Sequence, residues 1–304
     1  MTNLASSRQQ ARNAETLGRL LVIGSAVAWS GAGIFTKSVE ADVWTVLFWR
    51  GALAAVLMWA YLVWRQGGSA LTDASRLGLA GWAAAAVGSA ATICFIAAFK
   101  NTAVANVAII YATAPFAAAA IALFWMREAP GCTTLVAAAF CVIGVAVMVG
   151  GSSGTPNLSG DLLAVGMTVL MALMMVIMRR YPQRPMTLAV GPISSLQLVL
   201  VGWLMTDPLA ISGYDLLLVC AFGIAHAAAT IMLAEGVLRI RAAEAGLLST
   251  LEMPLVPLWG FLFLAEVPGM WTVVGGGIVL VTLVGYLTTA AQIRLRPGPD
   301  RDRR

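Results

Sequence analysis

Apolar residues run along this chain in long blocks separated by short polar stretches, and no block shows the alternate-residue pattern of a half-buried strand. A hydrocarbon layer about 30 Å thick, crossed at about 1.5 Å per residue, asks for roughly 20 apolar residues per helix. Ten blocks suit that demand, at residues 17–36, 43–64, 77–99, 103–126, 133–150, 162–178, 187–205, 214–238, 242–264 and 270–290. The third and fourth are divided only by Lys100, Asn101 and Thr102. Continuous apolarity and a wealth of Ala, Leu and Gly predict helices and argue against a β-barrel, whose strands are shorter and alternate. The pattern predicts an all-α integral membrane protein with ten transmembrane helices.

Composition agrees: 60% of the 304 residues are hydrophobic and 11% charged, which leaves no room for a soluble domain beside the ten blocks. Residues 1–16 read as a polar cytoplasmic tail and 291–304 as a basic cytoplasmic tail. No small-residue cleavage site follows the first block, so it reads as a retained span and not as a signal peptide. The net charge of +5 would suggest nucleic acid in a soluble protein; here its placement matters more. With a cytoplasmic N-terminus, inner segments carry 16 of the 19 basic residues, all but Lys37, Arg50 and Lys100. Both termini are therefore expected inside a bacterial inner membrane, and no nucleic-acid partner is expected. Cys94, Cys132, Cys141 and Cys220 lie scattered with no ligand spacing, so neither a metal site nor a disulfide is expected, and no cofactor.

The blocks repeat. Gly18-Arg-Leu-Leu-Val-Ile-Gly24 opens the first, Gly160-Asp-Leu-Leu-Ala-Val-Gly166 opens the sixth, and Lys37 and Arg179 follow at the same offset. A longer match sets 99–131 against 238–269, with Lys100 over Arg239, Ala103 over Ala242 and Pro115 over Pro254. After a one-residue gap Glu128, Pro130 and Gly131 fall over Glu266, Pro268 and Gly269. The unit is five blocks used twice, 17–150 and 161–290, joined by a small, polar linker at 151–160. Five is odd, so the second copy enters the membrane from the opposite side. Two such inverted halves exchange shapes around a central site in transporters.

These residues resemble the drug/metabolite transporter superfamily, in its EamA branch of ten-span bacterial exporters of the YddG type. The resemblance rests on Trp29-Ser-Gly-Ala-Gly-Ile-Phe-Thr-Lys37, on Phe48-Trp49-Arg50-Gly51, and on the Ala-rich stretch to Pro115 and Glu128. It rests also on the second copy, Thr250-Leu-Glu252-Met-Pro254 and Phe263-Leu-Ala-Glu266. It implies a cavity lined mainly by spans one, three, four, six, eight and nine, and export of amino acids, related metabolites or lipophilic cationic drugs.

Ionisable groups at membrane depth cost about 2.5–3.5 kcal/mol each on insertion scales, so the few present are candidates for function. Glu252 is expected either to meet a substrate ammonium or carry a coupling proton, or to be a buried carboxylate held by Arg50. Arg50 is expected to pair with Glu252 in preference to touching substrate. His226, the only histidine, has small neighbours that leave room for a substrate or a helix. Asn106, Tyr111, Ser249 and Thr250 supply neutral donors and acceptors, and Trp29, Trp49 and Trp259 are candidates for stacking, of which Trp29 lies at mid-depth. Glu235 is expected to pair with Arg239 one turn on. Pro115 and Pro254, each lacking a backbone donor, are the expected hinge points. No nucleophile–base pair, HExxH motif or aspartate cluster appears, so no enzyme is expected. The residues point to a secondary transporter exporting amino acids or small metabolites by alternating access, with a multidrug exporter for lipophilic cations as the rival. Its expected partners are a small-molecule substrate, the lipid bilayer and protons as candidate coupling ions, and it is expected to act as a monomer.

Overall fold

The computed structural model describes residues 2–295 except 68, 128–130, 152–156, 241 and 250, and no strand occurs among them. The first half of the chain holds α1 (Thr2–Ser30), α2 (Ala32–Ser38), α3 (Val43–Gln66), α4 (Ser69–Ser75), α5 (Gly78–Asn101), α6 (Val104–Tyr111), α7 (Ala114–Met126) and α8 (Cys132–Gly151). The second half holds α9 (Asn157–Arg180), α10 (Met186–Leu188), a π-helical turn at Ala189–Ile193, α11 (Ser194–Met205), α12 (Gly213–Val237), α13 (Ala242–Ser249), α14 (Glu252–Leu264) and α15 (Met270–Leu295).

Among the described residues eight stretches are long and apolar enough to cross a membrane: Asn13–Ser38, Val43–Gln66, Gly78–Asn101, Val104–Met126, Cys132–Gly151, Asn157–Arg180, Met186–Met205 and Gly213–Val237. Pro254–Leu264 and Met270–Tyr286 are shorter apolar helices. Leu79, Phe124, Val142, Leu204 and Val281 stand exposed on the outward faces. So many large apolar side chains facing water would drive aggregation; facing lipid, they meet a solvent as apolar as themselves.

The eight stretches coincide with the first eight blocks within a few residues, and the helices add detail to three of the expectations. Residues 2–16, expected as a polar tail, are helical and run on into the first span. Residues 157–160 of the expected linker are helical, because Gly160 packs on the backbone of Asn101 and Thr102 and the next residue, Asp161, accepts hydrogen bonds from Thr102 and Asn106. The ninth block is not one helix: α13 ends at Ser249 and α14 starts at Glu252.

The fourth block breaks in the same way, between Tyr111 and Ala114. Thr113 donates its hydroxyl to the Ile110 carbonyl at 2.7 Å, meeting an acceptor the break releases. Pro115 and Pro254 both lie in the first turn of the helix that restarts, where a missing N–H breaks no helical bond. The sequence suggested prolines bending continuous helices; the prolines instead stand where new helices begin. Both restarted helices end alike. Arg127 (φ 54°) and Ala265 (φ 51°) turn left-handed and donate their N–H to Ala122 and Gly260, and they are the non-glycine residues with positive φ among those described.

Packing follows a simple scheme. α5 lies against α9, α1 against α12, α8 against α15, α3 against α11 and α12, α11 against α5, and α6 against α14. Lipid tails offer helices no hydrophobic reason to associate, so close backbone approach through small residues takes over. Gly144 and Gly275 are the clearest case. A Cβ on Gly144 would lie 2.7 Å from the Gly275 carbonyl oxygen, and one on Gly275 would meet the Gly144 carbonyl more closely still. Gly277, two residues on, faces open space.

This contact sets a controlled prediction. Gly275→Val is expected to destabilise the protein by about 1–3 kcal/mol through overpacking, seen as a lower thermal midpoint in detergent, while Gly277→Val leaves the midpoint unchanged. Equal midpoints for the two variants would contradict the packing.

Candidate functional site

The two interrupted spans meet each other. Tyr111 is the last residue of α6 and Glu252 the first of α14, two elements in contact, and both side chains line one buried cavity. Trp29 from α1, Phe95 and Phe99 from α5, Val107 and Ala108 from α6, and Val256 from α14 complete its wall. Phe95 and Phe99 meet edge to face, with centroids 4.8 Å apart, and Phe99 is anchored in the core with Val104, Met148 and Met167. The wall is thus mostly aromatic and aliphatic, with one carboxyl group, one phenol and one indole. Such a lining suits a small molecule with an apolar body, and its one carboxyl group suits an ammonium group or a proton.

Behind Trp29 lies a second group of polar residues. Trp29 Nε1 donates to His226 Nδ1 at 3.3 Å, and Arg50 Nη2 lies 3.1 Å from the same nitrogen. A nitrogen approached by two N–H groups serves as the acceptor, so this arrangement requires a neutral imidazole with its proton on Nε2. The Arg50 guanidinium also stands 4.8 Å over the Phe222 ring, which stacks on Phe35 at 5.4 Å. Arg50 is buried. The expected pair with Glu252 is not formed: among the described residues Arg50 makes no ion pair, because the Trp29 indole and His226 occupy the side it shares with the cavity.

The other sequence candidates separate from this site. Asn106 donates to Asp161 at 2.9 Å and accepts from Thr272 at 2.6 Å, while Thr102 donates to Asp161 at 2.6 Å. Both ends of its amide are used to join α6, α9 and α15, so Asn106 is held away from the cavity wall. Ser249 donates to the Ala245 carbonyl of its own helix at 2.9 Å. Thr250 lies outside the described residues. Trp49 Nε1 donates to the Pro208 carbonyl at 2.8 Å, and Trp259 Nε1 to Ser30 Oγ at 2.8 Å, so each anchors a helix or loop. Glu235 and Arg239 do pair, at 2.6 Å, and Tyr61 and Arg65 join the same carboxylate.

The first and ninth spans are also tied at both ends. Lys37 pairs with Glu266, whose other oxygen accepts the Val104 N–H at 2.8 Å. Arg19 pairs with Glu244 at 2.5 Å. Near the Lys37 end, Lys100 donates to the Val39 and Ala41 carbonyls, and Asp215 accepts the Glu40 and Ala41 N–H groups. Asp42, outside the spans, caps α3: partial burial pushes its carboxyl up, but the bonds from Thr45 and Trp44 outweigh this and hold it below its ordinary range.

Sequence reasoning missed Phe95, Phe99 and Phe222, which carried no signal in uniformly apolar helices, and it did not single out Asp161. The repeat did mark Asp161, which falls over Arg19 beside the matching glycines.

Comparison with known proteins adds family and fold. The model of the EamA-like transporter family matches residues 16–150. A solved structure described only as "Crystal structure of protein" is similar to this chain at a TM-score of 0.63 and 18% identity, covering 93% of this chain and 100% of that one. It is one of 16 solved chains that match, and at such identity the likeness is one of fold. No curated protein matches the chain.

Proposed function

We propose, from the match of residues 16–150 to the EamA-like transporter family model, that the chain is a secondary transporter exporting amino acids or related small metabolites across the bacterial inner membrane by alternating access. The proposal rests on one observation: Glu252 and Tyr111 line a buried, largely aromatic cavity at the points where two membrane-embedded helices are interrupted. Transporters place substrate sites at such interruptions, near mid-membrane and between repeats. In this reading Glu252 meets the substrate's ammonium group or carries the coupling proton, and the uninterrupted helices form the scaffold.

The packing scheme supports ten spans in two inverted repeats. Counting α1–α2, α3, α5, α6–α7 and α8 as spans one to five, and α9, α10–α11, α12, α13–α14 and α15 as six to ten, each of the main contacts named above has a counterpart under exchange of the halves. The contact of α1 with α12 maps onto that of α9 with α5, and α3 with α12 onto α11 with α5. The contacts of α8 with α15, α3 with α11 and α6 with α14 map onto themselves. The paired left-handed ends at Arg127 and Ala265 obey the same relation. A pseudo-two-fold axis then runs beside the α6–α14 contact, where the cavity lies. The breaks ahead of Pro115 and Pro254 are the natural hinges, since backbone outside a helix changes φ and ψ without breaking helical bonds.

The second reading, export of lipophilic cations, is favoured by the absence of any basic side chain from the cavity wall.

Proteoliposome counterflow with labelled amino acids and one cationic dye, with and without a pH gradient, tests both readings. Trans-stimulation is expected, as only a carrier shows it. Glu252→Gln removes a charge-assisted contact of about 1.5–3 kcal/mol, so uptake should fall about tenfold or more and lose its response to the gradient. Unchanged uptake would return Glu252 to a structural role. In the same vesicles Pro115→Ala combined with Pro254→Ala is expected to fold but turn over more slowly, and normal turnover would remove the hinges from the account.

A further inference from the structure

Arg50 poses a problem that the protein itself does not solve. It lies in the second span with 5% of its surface exposed, and among the described residues no carboxylate pairs with it. A buried cation needs a counter-charge and acceptors for its donors. The Phe222 ring supplies a weakly negative face, and His226 Nδ1 supplies one acceptor. Nε and Nη1, which carry three of the five guanidinium N–H groups, have no partner. The remaining buried side-chain N or O atom without a partner among the described residues is Ser25 Oγ. Ser25 stands four residues before Trp29, on the same face of α1. Arg50 is linked to Trp29 through His226 Nδ1, and the Trp29 indole is a wall of the cavity.

The geometry points to a subsite for an anionic group of the substrate at Arg50 and His226, entered past Trp29 from the cavity that holds Glu252. It rests on the transporter reading and adds a chemical class to it. One guanidinium offers one positive charge, and the nearest lysines are committed elsewhere, Lys37 to Glu266 and Lys100 to the Val39 and Ala41 carbonyls. That charge balances a monoanion, and the planar guanidinium matches a carboxylate. The neutral tautomer of His226 keeps Nε2 as an additional N–H donor. The substrate class is therefore an apolar molecule bearing a carboxylate, and an amino acid where its ammonium group also meets Glu252. Trp29 turns aside to admit it, giving up one long hydrogen bond.

Thermal shift on the purified full-length protein in detergent tests the subsite with three probes of one carbon skeleton: L-phenylalanine, 3-phenylpropionate with the carboxylate alone, and phenethylamine with the ammonium alone. Both carboxylates are expected to stabilise the wild type. Arg50→Gln should weaken both by about 30-fold and leave phenethylamine within about twofold, because only the charge-assisted contact is lost. Arg50→Lys keeps the charge without the planar donor set; it should fold normally and still weaken the carboxylates several-fold. A structural role alone would lower the ligand-free midpoint and weaken all three probes equally, which overturns the subsite. A wild type that binds phenethylamine and neither carboxylate also overturns it, yet leaves the transporter standing with cations as cargo. Failure of the transporter reading has a different mark: carboxylate binding that depends on Arg50, with no counterflow in vesicles.

Discussion

Hydrocarbon offers a polar atom no hydrogen-bond partner, and this structure is organised around that constraint. Most hydroxyls within the helices are satisfied at no distance at all: Thr36, Thr92, Thr168, Ser195 and Thr230 each donate to the carbonyl one turn back. Groups too polar for that are met across helices. Asp161, fully buried, gathers Thr102 and Asn106, and Asn106 passes the network on to Thr272. At the ends, Lys37, Arg19, Arg239 and Arg65 find carboxylates. Against so complete a pairing, a cavity that retains a carboxyl group, and a neighbouring arginine with unmet donors, stand out as chemistry kept for something other than folding.

The same constraint governs the backbone. An interrupted helix at membrane depth frees N–H and C=O groups, and it is tolerated only inside protein. The interruptions ahead of Pro115 and Pro254 lie where α6 and α14 face each other, beside α1 and α9. Thr113 meets one of the freed carbonyls, and the prolines open helices at positions that have no donor to lose. The breaks therefore cost little where they are, and they bring Tyr111 and Glu252 to one cavity. In the proposed function the places that admit polar side chains are also the proposed hinges.

Much of this was legible in the primary structure, for physical reasons. A membrane span announces itself by length and apolarity, so the helices could be placed within a few residues. Glu252 and Arg50 were visible because a charge in an apolar block is costly, and Pro115 and Pro254 because they recur in register. What charges pair with was not visible. Glu235 lies in the last turn of α12 and Arg239 four residues on, just past its end, so spacing alone predicted their contact, whereas Arg50 and His226 lie on different spans whose rotation about their axes no pattern records. In helices apolar all round, nothing distinguishes a face toward lipid from one toward a cavity, which hid Phe95 and Phe99. Asn106 looked like a substrate ligand for the same reason. Its partner, Asp161, drew no notice because it stands between a Gly- and Ser-rich stretch and the start of the sixth apolar block.

The central claim is that the cavity between Trp29, Tyr111 and Glu252 is where the cargo binds. Ala108 lines it with a side chain too small to be needed for binding. The direct measurement is the labelling rate of Ala108→Cys by a membrane-permeant maleimide, with Cys94, Cys132, Cys141 and Cys220 replaced by alanine. A saturating concentration of a compound that the vesicles transport should slow the labelling sharply, and a compound they do not transport should leave it unchanged. Labelling that proceeds at one rate with and without the transported compound would place the cargo elsewhere in the protein and contradict the account.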